Sequence, residues 1–186
     1  MRRLLFLLVC ISCTQLAVAQ STSLTVVIIR HGEKNDSTGN LSCKGLHRAL
    51  SLPPVLSGKF PRPSYIYVPS VSTGKSTGHA RMFQTVTPFA VQQNLNINSK
   101  FAETDDSAVA NDVMKKKGLV LLVWEHGNIP MIATALGVKD KHLKWDGSDF
   151  DSIWIITYAE DKSKKKLKAT LTVGSEGLNP PNSCSF

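Results

Sequence analysis

Cysteine is scarce in this chain, long apolar runs are missing, and repeats are absent. The 186 residues hold 4 cysteines. Two of them, Cys10 and Cys13, sit in an N-terminal segment that reads as a leader, so a mature chain keeps only Cys43 and Cys184. That is too few for a disulfide-built miniprotein, and the length suffices for an ordinary hydrophobic core. No apolar stretch is long enough to span a bilayer as a helix, which leaves the mature chain without a transmembrane segment. The five histidines have no zinc-like spacing. Basic residues are not interleaved with aromatics, which argues against a nucleic-acid partner. No stretch of Gly, Pro or Ser is long enough to separate two domains.

What is present begins with Arg2-Arg3, an apolar run over residues 4–11, and Ala17-Val18-Ala19 before Gln20. This pattern predicts a secretory signal peptide over 1–19, cleaved after Ala19, and a single domain over 20–186. The expected location is therefore periplasmic or secreted. In such a compartment Cys43 and Cys184 can pair, provided the fold brings their Cα atoms close; the spacing alone leaves this open. The formal charge is +8. Much of the excess lies in Lys115-Lys116-Lys117 and in Lys162 with Lys164-Lys165-Lys166, which read as solvated faces and turns that would attract anions in a salt-dependent way.

The apolar pattern predicts strands alternating with helices. Leu24-Thr25-Val26-Val27-Ile28-Ile29 and Leu119-Val120-Leu121-Leu122-Val123-Trp124 are continuous runs, the mark of strands buried on both faces. Tyr65-Ile66-Tyr67-Val68 is a third strand, and residues 151–158 and 167–173 form a late hairpin. Helices are expected over 41–50, capped by Ser42 and ended or kinked at Pro53-Pro54, and over 80–93, 107–117 and 130–136. Residues 97–106 read as irregular. The fold class is α/β: a three-layer α/β/α sandwich around a mostly parallel sheet.

Both buried runs end in a polar burst, Arg30-His31-Gly32-Glu33 and Glu125-His126-Gly127-Asn128. Strand carboxyl ends are where open α/β sheets bind ligands. If the two strands are neighbours, two imidazoles and a guanidinium converge, and Arg81 near the start of the following helix adds another cation. Such a cluster suits a phosphoryl group, with one ring attacking phosphorus while the cations neutralise its oxygens.

Four ordered motifs carry a resemblance. They are Arg30-His31-Gly32, Leu41-Ser42-x-Lys44-Gly45, Ala80-Arg81-x-x-Gln84-Thr85-x-x-Pro88-x-Ala90, and His126-Gly127-Asn128-x-Pro130. Over about residues 24–136 the chain resembles the histidine phosphatase superfamily, the phosphoglycerate-mutase-like group, in its small branch without a His-Asp pair. The resemblance implies that His31 is the nucleophile that becomes phosphorylated, its other ring nitrogen held by the Gly32 carbonyl. Arg30, Arg81 and His126 would surround the phosphoryl oxygens, and backbone N–H groups from Gly127 onward would assist. Phosphohistidine hydrolysis would then release phosphate without a metal or other cofactor.

Proton donation to the leaving group needs an acid. Larger members place Asp directly after the second histidine, where this chain has Gly127. In mutase-like members a Glu follows the helix that bears the second arginine, which makes Glu103 the candidate, with Asp105 and Asp106 as competitors. Glu125 also departs from the usual small residue before the second histidine. Gly74-Lys75-Ser76-Thr77 mimics the end of a phosphate-binding loop but has Pro69 where a glycine is required. The expected function is an exported phosphatase acting on a phosphorylated small molecule, an envelope sugar or a phosphoprotein. The alternatives are a non-catalytic phosphoryl-binding envelope protein and a basic surface module for anionic glycans or lipids.

Overall fold

The computed structural model describes residues 23–71, 79–161 and 166–185. The leader expected over 1–19 and the Gly74-Lys75-Ser76-Thr77 segment lie outside the described residues. Six strands form one sheet: β1 (Leu24–Arg30), β2 (Tyr65–Pro69), β3 (Ile97–Phe101), β4 (Gly118–Trp124), β5 (Ser152–Asp161) and β6 (Lys166–Ser175). Their order is β3-β2-β4-β1-β5-β6. The pairs β1·β4, β2·β4 and β2·β3 are parallel, β5 runs antiparallel against β1, and β6 closes an antiparallel hairpin with β5. Four helices, α1 (Cys43–Lys59), α2 (Ala80–Gln92), α3 (Asp106–Val113) and α4 (Ile129–Ala135), complete the described elements.

The continuous apolar runs have a direct cause. Successive side chains of a strand face opposite sides of a sheet. Val26 and Ile28 of β1 join Val120, Leu122 and Trp124 of β4 in a core covered by α3 and α4. Val27 and Ile29 join Leu121 and Val123 in a second core packed with α1 and α2 residues such as Leu52, Leu56, Met82 and Val86. Both faces of the central strands are thus covered, and this produces the three layers.

Three expectations are corrected. Helix α1 does not stop at Pro53-Pro54 but runs through them to Lys59. Ala49, Leu52 and Leu56 stay on one buried face across the pair, so their burial offsets the backbone hydrogen bonds that the prolines cannot donate. Residues 97–101 are not irregular but form β3, an edge strand whose polar Ile-Asn-Ser-Lys-Phe sequence is only half-buried. Helix α3 is shorter than expected, because the Lys115 and Lys116 amides turn back to Asp112 and Val113 three residues earlier. Gly118 follows with φ +80°, a conformation that favours glycine.

The tail after β6 is fastened to α1. Cys43 and Cys184 form a disulfide with Cα atoms 4.9 Å apart, which resolves the pairing left open above. His47 Nε2 lies 3.0 Å from the Ser183 carbonyl, and Arg48 Nη1 donates to Glu176 at 2.6 Å.

Candidate active site at the ends of two parallel strands

Strands β1 and β4 are neighbours in register, with Arg30 opposite Trp124, and the His31 amide donates to the Trp124 carbonyl at 3.1 Å. The two polar bursts therefore emerge side by side. Strand alternation sends adjacent Arg30 and His31 to different sides. Arg30 meets the loop after Trp145, whereas His31 meets α2.

His31 is 2 % exposed. Its Nδ1 lies 2.6 Å from the Gly32 carbonyl, so that nitrogen carries the proton and Nε2 keeps its lone pair. Arg81 Nε donates to Nε2 at 3.0 Å. Burial is the main cause that lowers the His31 pKa to about 3; the Gly32 bond opposes it, and Arg81, Arg30 and His126 add to it. The ring is neutral at ordinary pH, the state in which an imidazole can attack an electrophile.

The backbone around this ring is braced by the residues of the motifs. The Gly32 amide donates to Thr85 Oγ1 at 2.8 Å, and that hydroxyl donates to the Arg81 carbonyl at 2.7 Å. Gln84 accepts from the Leu41 amide and donates to Asn40, fixing α2 to the chain ahead of α1. Ser42 caps α1 by accepting from the Gly45 amide, and its hydroxyl donates to the Glu33 carbonyl. A Cβ at Gly45 would stand 2.2 Å from the Glu33 carbonyl oxygen, and one at Gly32 would stand 2.9 Å from that of Gly45. Two glycines are needed where these segments cross.

Glu33 points away from the phosphoryl side. Arg48 donates to both its carboxylate oxygens, at 3.0 and 2.9 Å, and Lys44 lies 3.7 Å away. Burial opposes the charge on Glu33, yet the Arg48 bonds hold its carboxyl below the usual range. Arg48 also serves Glu176, whose carboxyl burial pushes up to about 8 against the pull of Arg48. Burial first, and then the nearby charges of Asp151 and Glu33, favour a proton on Glu176.

Arg30 Nη1 donates to the carbonyls of Gly147 and Asp149 at 2.7 and 3.0 Å, and its guanidinium lies 3.7 Å over the Phe150 ring. Arg30 Nε is buried with no hydrogen-bond partner. His126, with a side chain 33 % exposed, closes the cluster, and Glu125 lies against its Nδ1. The backbone amides after His126 do not stand free for a phosphoryl group. Gly127 donates to Glu125 Oε2 at 2.6 Å, and Asn128 and Ile129 both donate to the Glu125 carbonyl at 3.1 Å. The expected phosphoryl contact at Gly127 is thus occupied by the chain's own carboxylate.

The acid candidates separate. Glu103 Oε2 lies 2.7 Å from Nδ1 of His79, two residues before Arg81, and its carbonyl accepts from Trp124 Nε1 at 2.8 Å. Asp105 is exposed and accepts from the Ala102 amide as a turn cap. Asp106 approaches Asn128 at 3.4 Å, and burial raises its pKa. His79, whose side chain is 41 % exposed, partners Glu103. Sequence reasoning missed Phe150 and the 146–149 loop, which have no periodicity or motif to mark them. Among the described residues, no group of three or more His, Cys, Asp or Glu side chains is placed to hold a metal ion.

No family model matches the chain, and no curated protein matches it in sequence. Solved structures do. A mycobacterial glucosyl-3-phosphoglycerate phosphatase, determined with inorganic phosphate, is similar at TM-score 0.58 and 15 % identity, over 83 % of this chain and 99 % of that one. The protein histidine phosphatase SixA, complexed with tungstate, gives TM-score 0.53 at 15 % identity over 82 % and 97 %. A SixA protein from Agrobacterium tumefaciens gives 0.53 at 16 % over 80 % and 95 %. The fold is that of the histidine phosphatases. In the histidine phosphatase fold of this chain, the motif residues from β1, α2 and β4 converge at the carboxyl end of the sheet.

Proposed function

We propose that the chain is an exported phosphatase that hydrolyses phosphate monoesters through a phosphohistidine on His31. The observation that carries this reading is the neutral His31, its Nδ1 on the Gly32 carbonyl and its Nε2 beside Arg81. As the Arg81 guanidinium turns from Nε2 to the phosphoryl oxygens, the freed Nε2 lone pair forms the bond to phosphorus while the P–O bond to the leaving group breaks. Arg81, Arg30 and His126 neutralise the phosphoryl oxygens. Glu103 is the proposed proton donor to the leaving oxygen, with His79 holding its carboxyl. Water then attacks phosphorus, frees His31 and yields orthophosphate; the proton it loses restores the acid.

No step requires a metal, and EDTA is expected to leave the rate unchanged. The substrate classes are a phosphorylated small molecule, an envelope sugar or a phosphoprotein. Export is supported by the leader pattern over 1–19 and by the Cys43–Cys184 disulfide, which suits an oxidising compartment. Mass spectrometry of the exported protein should find Gln20 as the first residue.

Labelled substrate, quenched under denaturing alkaline conditions, should leave phosphate on His31 in the wild type and none in His31→Ala. Full turnover by His31→Ala would sink the proposal. A second reading, a phosphoryl-binding protein without turnover, is favoured by the Glu103–His79 contact, which engages the proposed acid. Saturable orthophosphate binding with no trapped label across several esters would select it.

A further inference from the structure

Glu125 has no part in the mechanism above, yet its carboxylate touches both His126 and the Gly127 amide. The chain turns after Trp124, so the Glu125 side chain folds back over the two residues that follow. One oxygen lies against His126 Nδ1 and the other accepts from the Gly127 amide at 2.6 Å. A Cβ at Gly127 would stand 2.8 Å from that second oxygen, so glycine at 127 makes room for the carboxylate. His126 Nδ1 is buried and makes no in-line hydrogen bond; the Glu125 carboxylate is the charged group in contact with it. The charge of Glu125 also bears on Arg30 more than that of Asp149 or Glu33.

The other ring nitrogen meets different surroundings. A Cβ at Gly147 would stand 3.6 Å from His126 Nε2, and the Gly147 carbonyl accepts from Arg30. Nε2 therefore faces the Arg30 side of the cluster. A carboxylate accepts hydrogen bonds and donates none, so it selects the imidazole form with a proton on Nδ1, whatever the charge of the ring. A free imidazole has no such constraint and can flip or change tautomer.

We infer that Glu125 is the positioning residue of His126, and that by holding Nδ1 it assigns Nε2 to the phosphoryl group. The inference deepens the phosphatase reading and rests on it for the identity of the ligand.

Long-range 1H–15N correlation spectra of 15N-histidine-labelled protein test it without turnover, with His126→Asn identifying the ring signals. The wild type should show a protonated Nδ1 on His126, and Glu125→Ala should lose that preference. With p-nitrophenyl phosphate, Glu125→Ala should lose about 10- to 100-fold in kcat/KM, the range seen when a ligand-orienting partner is removed. Orthophosphate inhibition should weaken in parallel. Glu125→Gln, which keeps the shape and can still accept from one of the two N–H groups, should fall between, guarding against a folding defect in the alanine variant. His126→Gln, whose amide reaches the Nε2 position, should bind orthophosphate better than His126→Asn. An unchanged tautomer in Glu125→Ala, tighter orthophosphate binding in that variant, or a better His126→Asn would overturn the inference. If the wild type neither turns over esters nor traps label, the phosphatase reading fails, and the spectra still report on Glu125.

Discussion

His31 and His126 leave neighbouring parallel strands at the same end of one sheet, and the chain treats them in opposite ways. His31 is sealed from solvent, tied to a backbone carbonyl and surrounded by cations. His126 is one-third exposed and tied to a carboxylate. A carbonyl fixes a tautomer without adding charge, and burial, aided by nearby arginines, keeps the ring neutral, which suits a nucleophile. A carboxylate fixes the tautomer and compensates a positive ring, which suits a group that meets developing negative charge. Chemically identical side chains thus acquire different work from what lies on Nδ1.

The comparison breaks most completely at Gly45. Because a Cβ there meets the Glu33 backbone, Gly45→Ala should displace the Arg30-His31-Gly32 turn and remove nearly all turnover. Chemical-shift changes should centre on His31 and leave His126 close to its wild-type values. Arg81→Ala comes next. Loss of the cation beside Nε2 should lower kcat by about 10²- to 10³-fold, as removal of one transition-state donor does. Arg81→Lys, which keeps charge without the Nε donor, should recover only part of that in steady-state assays.

A pH series sharpens the contrast for the buried ring. His31 sits at about 3 in the fold against 6.5 for an ordinary histidine. Below about pH 6.5 the unfolded chain takes up a proton that the folded chain refuses, so unfolding becomes easier as pH falls toward 3. The stability tied to neutral His31 is whole above that window and lost below it. In urea titrations across the window, His31→Gln should show a shallower decline than the wild type; identical slopes would contradict the assignment. The smallest effect on turnover is expected from Cys184→Ser. Its cysteine lies in the tail, so kcat at 25 °C should change less than about 2-fold while stability falls by about 2–5 kcal/mol in denaturant melts.

Much of the site was legible because backbone geometry imposes residue types. Continuous apolar runs marked β1 and β4, and the motif glycines at 32 and 45 prove to stand at a crossing that excludes side chains. Gln84 and Thr85 stood in the motif for a reason now visible, since each hydrogen-bonds backbone that supports His31 or α1. Other features had no local signature. Strand β3 is polar because it lies at an edge, and α1 passes two prolines because tertiary burial outweighs local preference. The Arg48–Glu176 pair spans 128 residues, a separation no periodicity reveals. Glu125 was visible as an unusual neighbour of His126, but its reach to Gly127 depends on how the chain turns after the strand.

The Cys43–Cys184 bond has a mechanical meaning as well. It joins positions 141 residues apart, at the start of α1 and near the chain's end. A pull applied beyond Cys184 would pass straight into α1, bypassing the β5-β6 hairpin that lies between them in the chain. The outer hairpin would carry none of that load until the sulfur bridge was cut, and tension at the tail would be felt first by the helix that braces Glu33.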